Sequence, residues 1–220
     1  MNLFAYCHNN PVNCSDYTGC QPTPPHFRYP EGASNDFGNQ FAAHSIEEGE
    51  EWGAYIIQHP NGGFIFVDPH TDHNPFGVNF PNIGEDANGN PIFTGPGPFH
   101  GALVVRAAHT HGAWALFTDD FFSGGDQQFV EDWQIPLDVF TPGGGHQALH
   151  PNHVPANHVE QRLFNNHGVL MGDPLAMNMP FDLDHPNAAN IAQHGGRGIR
   201  RRNRLEDAGF VAINLDYFNY

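Results

Sequence analysis

Residues 103–112 read Leu103-Val104-Val105-Arg106-Ala107-Ala108-His109-Thr110-His111-Gly112, an apolar run that ends in two histidines separated by one residue. Side chains on a β-strand alternate between its two faces, so both imidazoles project to the same side. The valines favour a buried strand that delivers the imidazoles to one end of a sheet. The stretch therefore predicts a sheet with a metal site, formed by His109 and His111, at a strand end.

The pair His109 and His111 is a weak signal by itself, because 16 histidines among 220 residues would give roughly one such pair by random placement. The run Ser123-Gly124-Gly125-Asp126 supplies a third candidate ligand, the carboxylate of Asp126. The same four residues fit a capping box, with Ser123 as N-cap and Asp126 at the third helical position. The two interpretations are compatible, since the start of a helix is a rigid platform for a ligand.

Glu51 is the candidate general base. It lies in the run Glu50-Glu51-Trp52-Gly53, at the start of a predicted strand and next to a Trp-Gly pair. The alternative is a solvated acid at the end of an acidic helix, which is how most such glutamates behave. Together with the two histidines and Asp126, Glu51 would complete the site of a metal-dependent hydrolase.

The flanking sequence predicts both helices and strands, and we expect an α+β fold. In chain order, the predicted elements are a helix from Asp36 to about Glu50, a hairpin over 53–67 with its turn at 60–63, a long loop rich in Gly, Pro, Asn and Asp over 68–98, the strand that leads into His109, a helix over 125–133, a strand over 137–140 and a turn over 141–145. From His146 onward the composition shifts to His, Asn and Pro with little periodicity, which predicts an irregular extension or a small second unit.

The chain is strongly acidic, with a formal net charge of -16 from 24 acidic residues against 8 basic ones, all of them arginine. Such a surface repels phosphate backbones, which argues against general nucleic-acid binding by the main body. A chain without lysine offers ubiquitin no ordinary side-chain attachment point, a feature that would matter in a eukaryotic target cell. We expect the five clustered arginines to dock on the acidic body or on an acidic partner: Arg197, Arg200, Arg201, Arg202 and Arg204.

The three cysteines, Cys7, Cys14 and Cys20, all lie in the first twenty residues. Their odd number and the lack of any CxxC spacing favour free or buried thiols in a reducing compartment over a disulfide framework or a zinc ribbon. No stretch approaches the ~18 apolar residues of a membrane span, and no signal-type apolar region follows Met1.

Four motifs follow one another in the order typical of the JAMM (MPN-type) metallopeptidases: Glu51-Trp52-Gly53, His109 to Gly112, Ser123 to Asp126 and Thr141-Pro142-Gly143-Gly144. Over residues 36–150 the chain resembles the subgroup of that family attached to the C-termini of Rhs-repeat proteins. Gly112 stands where proline is common, and residues 112–122 form a longer loop than is common. That loop contains Asp119 and Asp120, either of which could replace Asp126 as the third ligand.

This resemblance implies a JAMM-like mixed β-sheet flanked by helices, and a zinc-dependent hydrolase of peptide or isopeptide bonds, including those of ubiquitin-like conjugates. It implies that His109, His111 and Asp126 hold Zn2+, whose fourth position is left for water. It also implies that Glu51 takes a proton from the attacking water and that Ser123 donates a hydrogen bond to the tetrahedral oxyanion.

The N-terminus resembles the closing motif of an Rhs core in three runs: Asn2-Leu3-Phe4-Ala5-Tyr6, Asn9-Asn10-Pro11-Val12-Asn13 and Asp16-Tyr17-Thr18-Gly19. Tyr17 stands where proline is usual and Cys20 where leucine is common, so self-cleavage at this junction stays open. The resemblance implies a toxin effector that is made in the bacterial cytoplasm and delivered to the cytoplasm of a target cell. Its implied partners are a protein substrate, a cognate immunity protein and the remainder of the Rhs shell.

The resulting domain organisation is the end of an Rhs core at 1–20, a proline-rich linker at 21–35, a JAMM-like hydrolase domain at 36–150 and a C-terminal extension at 151–220. Two other functions remain open. A non-catalytic JAMM-like scaffold would bind partners, although a scaffold needs no metal ligands. A metal-dependent nuclease would use the arginine cluster and a second histidine-rich set: His146, His150, His153, His158, His167, His185 and His194.

Overall fold

The computed structural model describes residues 26–115, 120–153, 180–193 and 196–200. The predicted end of an Rhs core at 1–20, the three cysteines, Asp119 and Arg201–Arg204 lie outside the described residues. The elements, in chain order, are α1 (Pro30–Glu48), β1 (Gly53–Gln58), β2 (Phe64–His70), β3 (Ile83–Glu85), β4 (Pro91–Phe93), β5 (Val104–Thr110), α2 (Gly124–Trp133), β6 (Leu137–Phe140), β7 (His146–Leu149), a 3-10 turn (Pro151–His153), β8 (Pro180–Asp182), α3 (Ala188–Gln193) and β9 (Arg197–Ile199).

Five strands form a sheet in the order β2-β1-β5-β6-β7. β1 is antiparallel to both β2 and β5, β5 is parallel to β6, and β7 returns antiparallel to β6. α1 packs on one face of this mixed sheet and α2 on the other. The expected α+β fold, a mixed sheet flanked by helices, is confirmed. Among the described residues, no helix combines the length and the apolar character that a membrane span requires.

β5 is the central strand, and its alternation divides the molecule into two layers. Ala107 packs in the core under α2, and His109 also lies on that face. Ala108 packs under α1, where Arg106 and Thr110 also make their side-chain contacts. The strand register thus separates a layer that carries the two histidines from a layer that anchors α1.

α1 begins at Pro30, inside the linker that the sequence predicts for 21–35, so that prediction is wrong over residues 30–35. Proline fits the first helical position because its fixed φ suits a helix and its missing N–H has no partner there anyway. Ala33 and Phe37 are fully buried, which ties this first part of the helix to the sheet. The helix ends at Glu48, and Gly49 closes it with φ 68, a left-handed conformation that favours glycine.

The predicted hairpin is confirmed as β1 and β2, with Gly62 and Gly63 at positive φ in its turn. The predicted loop over 68–98 also contains the small antiparallel hairpin of β3 and β4, a pairing that the sequence did not predict. The helix over 125–133 is confirmed with one more residue at its start, and the strand over 137–140 is confirmed as β6.

For the chain after His146 the sequence left open an irregular extension or a small second unit, and the described residues there contain regular elements. β7 extends the main sheet, and all four of its residues are buried. Further on, β8 and β9 pair in parallel around α3, and Phe181 and Ile191 bury their side chains there. Such short apolar segments produce no measurable periodicity, which is why the composition of the region predicted an irregular extension.

Candidate metal centre

β5 carries the two histidines to one end of the sheet, as predicted. His109 is 2% exposed and His111 is 7% exposed, and their ring centroids lie 5.0 Å apart. The N–H of His111 donates to the carbonyl of Phe140 at 2.9 Å, so the hydrogen-bonded contact between β5 and β6 extends past the end of β5. The backbone around both histidines is therefore held by neighbouring strands.

Asp126 reaches the histidines from the first turn of α2. The Nε2 atom of His109 lies 3.2 Å from Asp126 Oδ1, and the Nε2 atom of His111 lies 3.7 Å from Asp126 Oδ2. Asp126 is 8% exposed. One ligand atom from each of the three residues lies within 4.8 Å of the others, so this buried group can hold a metal ion. His109, His111 and Asp126 together form the metal group.

Asp126 is both the candidate ligand and a member of the capping box. The Ser123 hydroxyl accepts a hydrogen bond from the Asp126 N–H at 3.2 Å, and the Asp126 carboxylate accepts one from the Ser123 N–H. This reciprocal pair fixes the Asp126 side chain at the helix start. The cap uses a lone pair of the Ser123 hydroxyl and not its proton, and the residue is exposed beside the metal group.

Asp120, one of the two alternative third ligands, is engaged elsewhere. Its Oδ2 atom lies 2.8 Å from Nε2 of His185, and its Oδ1 atom accepts the N–H of Gly143 at 3.1 Å. Asp119 lies outside the described residues. Of the aspartates that the structure describes in this region, Asp126 is the one that joins His109 and His111.

Burial sets the protonation states of the group. Desolvation lowers the pKa of His109 to about 4 although the Asp126 carboxylate opposes that shift. Burial would raise the pKa of Asp126, but the imidazoles of His109 and His111 and the Ser123 N–H outweigh it and lower that pKa to about 2. Near neutral pH, His109 is therefore a neutral imidazole and Asp126 an ionised carboxylate.

This donor set suits a divalent cation. Zinc is bound in proteins by neutral imidazole nitrogens and carboxylate oxygens, and three protein ligands are typical of its catalytic sites. A buried carboxylate beside neutral imidazole is costly unless its charge is balanced, and a divalent cation would supply that balance. The residues present therefore fit a divalent metal ion.

Glu51 lies next to this group in the sheet register. β1 pairs with β5 so that Gly53 opposes His109, and continuing the same register places Glu51 opposite His111. Directly opposed residues of an antiparallel pair share one face of the sheet. Glu51 is 8% exposed, and its N–H donates to the carbonyl of Asn74 at 3.0 Å. The alternative of a solvated acid at a helix end is therefore wrong, because α1 ends at Glu48 and Glu51 is buried.

The long loop over 68–98 covers the start of β1, close to His109 in the sheet register, and the sequence did not predict this contact. A Cβ atom on Gly53 would meet the side chains of Val78 and Phe80 at 3.2 and 3.3 Å, so this loop covers the start of β1 closely. Phe80 also lies against Phe129 of α2, with ring centroids 4.8 Å apart. In the sequence, the apolar residues Val78 and Phe80 within a Gly- and Pro-rich loop were the one signal that this loop packs against the sheet.

The second histidine-rich set does not assemble within the described residues. His146 is fully buried and stacks on Phe140, with centroids 4.3 Å apart, and its Nε2 atom lies 3.6 Å from Asp138. His185 pairs with Asp120, while His158, His167 and His194 lie outside the described residues. In the described ranges, the group of His109, His111 and Asp126 is the one that meets the geometry of a metal site.

No family model matches the sequence, and neither the curated proteins nor the solved structures contain a match.

Proposed function

We propose that this chain is a zinc-dependent hydrolase whose metal is held by His109, His111 and Asp126. The observation that carries the proposal is the meeting of these three buried side chains, from β5 and α2, with ligand atoms within 4.8 Å of one another. Residues 109 and 126 are 17 positions apart along the chain, and the fold brings them together on one face of the sheet.

The neighbouring side chains are of the types that hydrolysis requires. A zinc ion, when bound, supplies a Lewis acid that makes an attacking water more acidic. Glu51 would accept the proton of that water and pass it to the leaving amine. Ser123, whose hydroxyl proton is not used by the helix cap, would donate a hydrogen bond to the developing oxyanion.

The substrate class rests on the order of motifs along the chain. Glu51, the His109–His111 pair, the Ser123–Asp126 pair and the turn at 141–144 follow the JAMM order. The His109–His111 pair meets Asp126 in the structure, and the register of β1 and β5 supports a place for Glu51 opposite His111. We therefore propose peptide or isopeptide bonds as the substrate, including those of ubiquitin-like conjugates. We also propose an Rhs-type toxin effector that is delivered to a target cell and held in check by a cognate immunity protein.

Metal analysis of the purified full chain tests the centre itself. We expect one zinc per chain, lost in the double variant His109→Ala/His111→Ala because only the carboxylate of Asp126 would remain. His100→Ala is the matched control, since His100 is exposed and hydrogen-bonds the loop carbonyls of Thr94 and Gly95. Unchanged zinc in the double variant would show that the metal lies elsewhere.

Glu51→Gln tests the chemistry. With isopeptide-linked ubiquitin-like conjugates and a peptide library as probes, we expect the variant to keep its zinc and melting temperature but to lose about 10²–10⁴-fold in rate. Glu48→Gln, on the same acidic run, should hydrolyse like the wild type. Full activity of Glu51→Gln would refute its role as the base. Stoichiometric zinc without hydrolysis of either probe would instead favour a binding scaffold.

A further inference from the structure

Two buried hydroxyl groups lie on the far side of β5 from the metal group. Thr110 stands between the two histidines, so alternation turns its side chain toward α1. Its hydroxyl donates to the Ser45 hydroxyl at 2.7 Å, and Ser45 lies in the last turn of α1. Both residues are 0% exposed. This pair joins the helix to the strand that carries the ligands.

The same two hydroxyls hold the backbone on both sides of Glu51. Thr110 Oγ1 accepts the N–H of Trp52 at 3.0 Å, and the Ser45 hydroxyl donates to the carbonyl of Glu50 at 2.6 Å. The Ser45 carbonyl also accepts the N–H of Glu50 at 3.2 Å.

In this series of hydrogen bonds, the donors and acceptors match one to one. The Trp52 N–H donates to Thr110, Thr110 donates to Ser45, and Ser45 donates to the Glu50 carbonyl, so each hydroxyl gives one proton and accepts one. A second acceptor for Ser45, the carbonyl of His111, lies farther away at 3.3 Å. Because these hydrogen bonds are buried and every donor has an acceptor, the peptide groups that flank Glu51 have little freedom to move.

We propose that the Ser45–Thr110 hydroxyl pair is the positioning device for Glu51, and so sets the place of its carboxylate beside the metal group. The inference rests on the proposed role of Glu51 at a metal centre. It gives the middle residue of His109-Thr110-His111 a function of its own: the two histidines hold the metal, and the threonine holds the base in register with them. Displacement of a catalytic group by about 1 Å can cost 10²-fold in rate.

The test uses the full chain loaded with Co2+, whose visible spectrum responds to the groups around the ion. Thr110→Val removes the hydroxyl and keeps the shape, whereas Thr110→Ser keeps the hydroxyl. Thr141→Val is the matched control, because Thr141 is also buried and its hydroxyl accepts the N–H of Gly145 in a turn beyond β6. Glu51→Gln supplies the reference spectrum for a centre without the base.

We expect Thr110→Val to bind one Co2+ with the altered spectrum of Glu51→Gln, and Thr110→Ser and Thr141→Val to give the wild-type spectrum. A wild-type spectrum for Thr110→Val beside an altered one for Glu51→Gln would overturn the positioning role. If Glu51→Gln itself has the wild-type spectrum, the proposed place of Glu51 beside the metal fails instead. Should Thr110→Val fail to fold, Ser45→Ala decides: the Glu51→Gln spectrum supports the inference, and the wild-type spectrum overturns it.

Discussion

His109 links the protonation of a single side chain to the stability of the whole domain. Burial lowers its folded-state pKa to about 4, below the ordinary value of 6.5, so the unfolded chain binds more protons between these values. The contribution of neutral His109 to the free energy of unfolding is therefore fully present above pH 6.5. It is lost as the pH falls toward 4, by about 3 kcal/mol in all. The lowered pKa of Asp126 adds a further loss below its ordinary value of 3.8.

Urea unfolding of the chelator-treated protein between pH 7.5 and 4 measures this dependence. Metal must be absent, since it competes with protons for the same imidazole. We expect His109→Gln to flatten the profile and His100→Gln to leave it as steep as that of the wild type. An equally steep profile for His109→Gln would show that other groups cause the acid sensitivity.

The candidate ligands could be predicted from local sequence, but what orients them could not. Spacing along one strand is enough to place His109 and His111 on one face, and a four-residue pattern is enough to place Asp126 at a helix start. The contact of Thr110 with Ser45 joins residues 65 positions apart. Such a contact depends on where α1 crosses the sheet, and no single-strand pattern contains that information.

Among the elements, α1 meets the sheet at Gly38, a position that leaves no room for a side chain. A Cβ atom on Gly38 would lie 2.1 Å from the ring of Phe140, which is itself held between Phe37 and His146. Alanine favours a helix over glycine by about 1 kcal/mol, but overpacking a core costs about 1–3 kcal/mol. Because this ring is fixed on both sides, we expect Gly38→Ala to lower the melting temperature. Gly124→Ala in α2, with no atom within 4 Å of the added methyl group, should not lower it.

The sequence predicted the bounds of an element correctly where its apolar pattern was long. It did not do so where a contact with a residue distant in sequence determines where the element begins. The first turn of α1 is held by Glu31, which pairs with Arg106 at 2.8 Å, and Arg106 also binds the fully buried Asp138. Read in sequence, residues 30–35 look like part of a polar, proline-rich linker. Their helix forms because the sheet supplies an arginine for Glu31 and an apolar surface for Ala33.

At the scale of the whole molecule, part of the predicted extension belongs to the main body. β8 contacts the turn Thr141-Pro142-Gly143-Gly144, where the Pro142 carbonyl accepts the N–H of Asp182 at 2.8 Å. A Cβ atom on Gly144 would meet Phe181 at 3.4 Å, and Gly144 has φ 76, so glycine suits both the contact and the conformation. The boundary expected at residue 150 therefore does not separate two independent units where the structure describes both sides.

Asp182 is the residue that tests this integration. It is fully buried, and its carboxylate accepts the N–H of Trp114 at 2.7 Å, three residues after the candidate ligand His111. Removing the acceptor would leave that N–H without its partner, a loss of about 1–3 kcal/mol. We expect Asp182→Ala to lower the melting temperature of the full chain while unfolding stays a single transition. Asp184→Ala, two residues on and exposed, should behave like the wild type. If Asp182→Ala melts like the wild type, the hydrogen bond from Trp114 to Asp182 adds nothing measurable to stability, and the loop after His111 is held by other contacts.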